Sequence, residues 1–100
     1  MKKNIVAVGT YTSAQTGKTY AYDLERQTRT DYREFMNPAT RYERVYFQVN
    51  VYEDGAWRLF GFVDDAEDGM AVHEEVKKVV HKIENPLTEA QLAVMHSRFD

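Results

Sequence analysis

Period-two alternation over Val45–Tyr52, an Asp54-Gly55 pair at the centre of Glu43–Val63 and two helically spaced apolar stripes behind it predict an α+β fold. The expected architecture is an antiparallel sheet of about four strands, arranged as two hairpins, with two C-terminal helices packed on one face. One hundred residues form one domain, 1–100, and no linker or repeat divides it.

The first strand is expected over Ile5–Thr12. Ser13–Lys18, with Gly17, reads as a turn. Tyr20, Tyr22 and Leu24 then alternate with Ala21 and Asp23 and close the first hairpin. Residues 25–41 admit two readings. Thr30 can cap a short helical turn, Asp31–Met36, ended at Asn37-Pro38; alternatively the second strand simply continues. In the second hairpin Val45, Phe47, Val49 and Val51 alternate with Tyr46, Gln48, Asn50 and Tyr52. A two-residue type I′ turn at Asp54-Gly55 then sets Tyr52 opposite Trp57, Val49 opposite Phe60 and Phe47 opposite Phe62. That register collects Phe47, Val49, Phe60 and Phe62 on the core face. It leaves Tyr46, Tyr52, Trp57 and Leu59 on the other, among Gln48 and Asn50.

Val72, Val76, Val79 and Ile83 follow at spacings of four, three and four, the stripe of a helix lying on a sheet. Acids at Asp64–Asp68 suit the N-terminal end of its dipole, and Asn85-Pro86 ends it. A second helix is expected from Thr88, where Thr88 and Gln91 form a capping box and Leu87 and Leu92 a staple. Leu92, Met95 and Phe99 are its stripe.

Composition narrows the function. The net charge of −3 gives no general affinity for nucleic acid, so any such binding needs a local patch. Charge is uneven: residues 25–44 carry five arginines against four acids, and residues 53–75 carry eight acids against Arg58 alone. The chain has no cysteine, which removes thiolate catalysis, thiolate metal sites and disulfides, and favours a reducing compartment. The apolar run after Met1-Lys2-Lys3-Asn4 stops at Gly9, too short for a leader or a membrane span. A cytoplasmic protein with no membrane partner is expected.

Several fragments imitate catalytic motifs. Gly17-Lys18-Thr19 after a strand resembles the end of a P-loop, but Thr12 stands in place of its first glycine and a Tyr-rich strand in place of its helix. Asp64, Asp68, Gly69 and Glu75 match positions 1, 5, 6 and 12 of an EF-hand loop, while Ala66 voids position 3. His73-Glu74-Glu75-Val76-Lys77 begins like a zinc-protease helix, with a lysine where the second histidine belongs; His73, Lys77 and His81 read as a solvated flank, and His96 as an edge residue. Ser13 and Ser97, the two serines, lie on no strand–turn–helix elbow.

What remains is aromatic rings among guanidinium groups: Tyr32, Tyr42, Tyr46, Tyr52 and Trp57 with Arg29, Arg33, Arg41, Arg44 and Arg58. These residue types dominate protein–protein hot spots. The expectation is a non-enzymatic binding protein that needs no cofactor and meets a protein partner, or a second copy of itself, through Arg33, Arg41, Tyr42, Arg44, Tyr46, Tyr52 and Trp57. The same surface could serve an RNA or single-stranded nucleic-acid binder, with bases stacked on the rings. A small enzyme or weak divalent-cation binder at Asp64–Asp68 is a further alternative, and residues 25–41 folding over the rings would remove the surface altogether. Small cysteine-free domains of this kind occur among phage and mobile-element factors that inhibit a host protein, an analogy with no residue to carry it.

Overall fold

The computed structural model describes residues 4–86 and residue 91. Four strands, β1 (Ile5–Thr12), β2 (Thr19–Tyr32), β3 (Arg41–Glu53) and β4 (Ala56–Val63), are followed by one helix, α1 (Gly69–Glu84). The strands form one antiparallel sheet in the order β1-β2-β3-β4, each pairing with its neighbour in sequence. The four-stranded antiparallel sheet and the helix behind it are those the sequence predicts. The second helix expected from Thr88 falls outside the described residues.

The turns of the first and last of the three hairpins follow from their residues. Gly17 takes φ 74°, and Asp54 and Gly55 take φ 51° and 81°, the left-handed pair that a type I′ turn requires. The register beyond Asp54-Gly55 differs from the expected one. Tyr52 does face Trp57, but Val51 faces Leu59, so Arg58 is an extra residue, a β-bulge. From there every partner moves by one: Val49 faces Gly61, Asn50 faces Phe60, Gln48 faces Phe62 and Phe47 faces Val63. Because side chains alternate with period two, that single step exchanges the two faces of β4. Leu59, Gly61 and Val63 join the core. Phe60 and Phe62, expected there, stand on the opposite face.

The core is aliphatic. Leu24, Val49, Val51 and Val63 from the sheet meet Val72, Val76, Val79 and Val80 of α1, with Tyr20 at one end. Gly61 permits this approach: a Cβ there would lie 2.9 Å from the Val79 Cγ2 atom, too close for a real contact. Asp68 caps α1 by accepting from the Ala71 N–H at 3.1 Å. At the other end the Glu84 carboxylate accepts from Ser13 Oγ at 2.5 Å, Thr16 Oγ1 at 2.5 Å and Tyr20 OH at 2.9 Å. These bonds, Ser13's first, hold the Glu84 carboxyl below its ordinary pKa. Burial, with Glu84 beside it, pushes the Tyr20 phenol up to about 12. Gln15 and Asn85 exchange side-chain hydrogen bonds at 3.1 and 3.0 Å, so the helix end is tied to the β1–β2 turn.

Of the two readings of residues 25–41, the strand holds. β2 runs to Tyr32, paired with Arg41, and no helical turn forms over Asp31–Met36. Pairing with β3 satisfies more backbone groups there than an isolated turn can. Asn37 instead caps a 3-10 turn at Pro38–Thr40, accepting from the Ala39 N–H. β1 pairs no further along β2 than Glu25, and β4 no further along β3 than Phe47. The six pairs from Gln27–Tyr46 to Tyr32–Arg41 therefore project as a two-stranded arm, about 20 Å long at ~3.3 Å per residue.

Candidate functional site

α1 covers one face of the sheet. On the other face, the register brings four rings into a row: Trp57, Phe60 and Phe62 along β4, then Tyr46 of β3. Trp57 stacks on Phe60 (centroids 5.9 Å apart, 28° between planes), Phe60 meets Phe62 edge-on at 5.4 Å, and Phe62 meets Tyr46 edge-on at 5.6 Å. These are the offset and T-shaped geometries favoured by the ring quadrupole. The row is nevertheless open to solvent: Trp57 is 49%, Phe60 42% and Phe62 49% exposed.

Beside the row lies a closed polar network centred on Asn50, only 1% exposed although it faces away from the core. Its amide oxygen accepts from Gln48 Nε2 at 2.8 Å and Trp57 Nε1 at 3.2 Å, and its nitrogen donates to Asp23 Oδ1 at 2.9 Å. Tyr52 OH donates to the other Asp23 oxygen at 2.9 Å. Burial, reinforced by that bond and by the Asp23 and Glu25 charges, pushes the Tyr52 phenol up to about 12. Among the described residues no buried side-chain polar atom lacks a partner. The network thus fixes the indole and phenol rotamers, and the surface is a preset one: rings on one side, the Asp23 and Glu25 carboxylates on the other.

Of the seven residues expected to form an interaction surface, Tyr42, Arg44, Tyr46, Tyr52 and Trp57 share this face. Arg44 pairs with Asp64 at 3.0 Å, and Arg33 sits over the Tyr42 ring, 5.4 Å from its centroid. Arg41 faces the other way, opposite Tyr32 near the arm's end. Arg58 pairs with Glu53, which also holds Lys18 at 3.3 Å, and so leaves the ring surface. Sequence reasoning missed Phe60, Phe62, Asn50, Asp23 and Glu25. One signal was available for the phenylalanines: in the unbulged register Arg58 shares the core face with them, a charge opposite Val51 whose one same-face carboxylate, Glu53, lies at the hairpin's end.

The motif fragments resolve into structural roles. Ser13 Oγ accepts from the Gln15 and Thr16 N–H groups and Thr16 Oγ1 from that of Lys18, so the Gly17 turn spends its donors on itself rather than on a phosphate. Asp65 and Asp68 bind backbone N–H groups and Asp64 binds Arg44. Among the described residues no three His, Cys, Asp or Glu side chains gather as a metal site. His73 lies against Tyr11 and His81 against Asn85 on the solvent side of α1. His96 and Ser97 fall outside the described residues. No helix among the described residues is long and apolar enough to cross a membrane. No protein family, no curated protein and no solved structure matches the chain.

Proposed function

We propose that this chain is a non-enzymatic binding protein whose open sheet face docks a protein partner. The observation that carries the reading is the Trp57–Phe60–Phe62–Tyr46 row, four rings in mutual contact, three of them about half in water, beside two carboxylates. Aromatic side chains in solvent forgo about 25 cal/mol per Å2 of burial, and they are the residues on which interface energy concentrates. Asp23 and Glu25 define the partner's chemistry: an apolar segment with a lysine or arginine next to it, able to lay its stem on the rings and its cation on the acids. Acids beside the rings repel a phosphate backbone, which disfavours nucleic acid on this face.

Affinity capture from lysate with mass spectrometry, comparing the wild type with Phe60→Ser/Phe62→Ser, tests the proposal. One stoichiometric protein should be retained by the wild type and lost by the variant, with Trp57→Ala weakening the purified complex by about 2 kcal/mol. Retention of the same protein by both chains overturns the reading. So does binding that disappears with nuclease or falls steeply with salt.

A further inference from the structure

The arm ends in an exposed apolar tip. Phe35 is 92% and Met36 79% exposed, and Met36 holds φ 59°, a left-handed conformation unfavourable to a side chain of its size. The tip is built: the Glu34 N–H donates to Thr40 Oγ1 at 3.1 Å, Thr40 Oγ1 donates to the Asn37 carbonyl at 2.8 Å, and Asn37 Nδ2 donates to Glu34 Oε2 at 2.9 Å. It is flanked by Arg33 and Arg41, neither ion-paired among the described residues. At the arm's base, on the helix-bearing side, lies a hollow of about 470 Å3 lined by the apolar Val6, Ala7, Phe47 and Ala66 and by the charged Arg26, Asp65 and Glu67.

Tip and hollow are complements of one another, apolar against apolar, with Arg33 and Arg41 outweighing Glu34 on the tip and Asp65 and Glu67 outweighing Arg26 in the hollow. They lie about 20 Å apart along a two-stranded ribbon, so one molecule cannot join them. We propose that a second copy of this chain does so: two molecules align their arms antiparallel, each placing Phe35 and Met36 in the other's basal hollow and Arg33 and Arg41 against its Asp65 and Glu67. Such a contact is isologous and closes as a twofold dimer. It also explains how an arm with no core of its own holds together, since a lone two-stranded ribbon is marginal in water. The Trp57–Phe60–Phe62–Tyr46 row takes no part, so the inference stands apart from the partner proposed for it; Arg33, which rests over the Tyr42 ring, leaves that ring to reach the acids.

The chain's lack of cysteine makes the test direct. Full-length Phe35→Cys and Ala66→Cys chains, mixed under mild oxidation, should give a covalent heterodimer, because a disulfide forms only where Cα atoms come within about 7 Å. Phe35→Cys mixed with Thr10→Cys, on the open face, should give none. In sedimentation equilibrium the wild type should be dimeric at tens of micromolar. Arg33→Glu/Arg41→Glu should weaken the dimer at least tenfold, and Asp65→Arg/Glu67→Arg on the mixed-in chain should restore it. A monomer at that concentration, equal cross-linking to positions 10 and 66, or a dimer indifferent to the charge reversals overturns the proposal. An arm variant that loses salt-dependent binding to duplex DNA, with no change in mass, overturns it in favour of nucleic acid.

Discussion

The two faces of this sheet use the same strands and reach opposite ends. Under α1, Leu24, Val49, Val51 and Val63 are sealed by valines, with Gly61 letting the helix settle close. On the reverse, larger rings stay about half in water beside a hydrogen-bonded Asn50. Hydrophobicity alone does not decide which side is interior. A single bulged residue, Arg58, decides it by setting which β4 side chains meet the helix.

Substitutions can break that comparison. Leu24→Ala is expected to cost about 3 kcal/mol in urea unfolding, the usual penalty for a large-to-small change in a closed core. Phe62→Ala, which removes the bulkier side chain, should cost under about 1 kcal/mol because that side chain is already half in solvent. Equal costs would erase the difference between the faces, and a larger cost for Phe62→Ala would reverse it. Gly61→Val separates the registers further: against Val79 it should destabilise by about 1–3 kcal/mol, whereas on an open strand face valine would help. Asn50→Ala should cost about 1–2 kcal/mol by stranding the Trp57 N–H and part of Asp23, and the indole emission should shift as its hydrogen bond is lost.

The smallest effects concern protons. Glu84 has a folded pKa below its unfolded one, so its contribution to stability is present above the ordinary carboxylate pKa. That contribution fades as pH falls through the lowered value. Glu84→Gln should accordingly lower stability at neutral pH, change it little in acid and so flatten the acid limb of the profile followed by urea unfolding. Tyr52 and Tyr20 shift the opposite way: their protonated forms support the fold below pH ~10, and that support is lost as pH rises from there through about 12. Two of the seven tyrosines should therefore titrate late by phenolate absorbance.

Much of this fold is legible in the sequence, and the limit has a physical location. β1 spans the expected Ile5–Thr12, the Asp54-Gly55 turn is a local preference for positive φ, and the valine stripe specifies α1. The register of β4 depends on where α1 needs room and where Arg58 can reach Glu53, both tertiary facts that alternation within a strand does not contain. The candidate surface was half legible for the same reason. Tyr46, Tyr52 and Trp57 lie before the bulge or across from it and keep their expected face, whereas Phe60 and Phe62 lie beyond it.

The Ser13–Glu84 hydrogen bond joins positions 71 residues apart, while each strand pairs only with its sequence neighbour. Nearly all of the sheet can therefore zip from local hairpins at low entropic cost, with the β2–β3 pair as the longest ladder. The junction of α1 with the β1–β2 turn is the exception and should close last, so weakening it should speed unfolding and leave the rate of folding almost untouched.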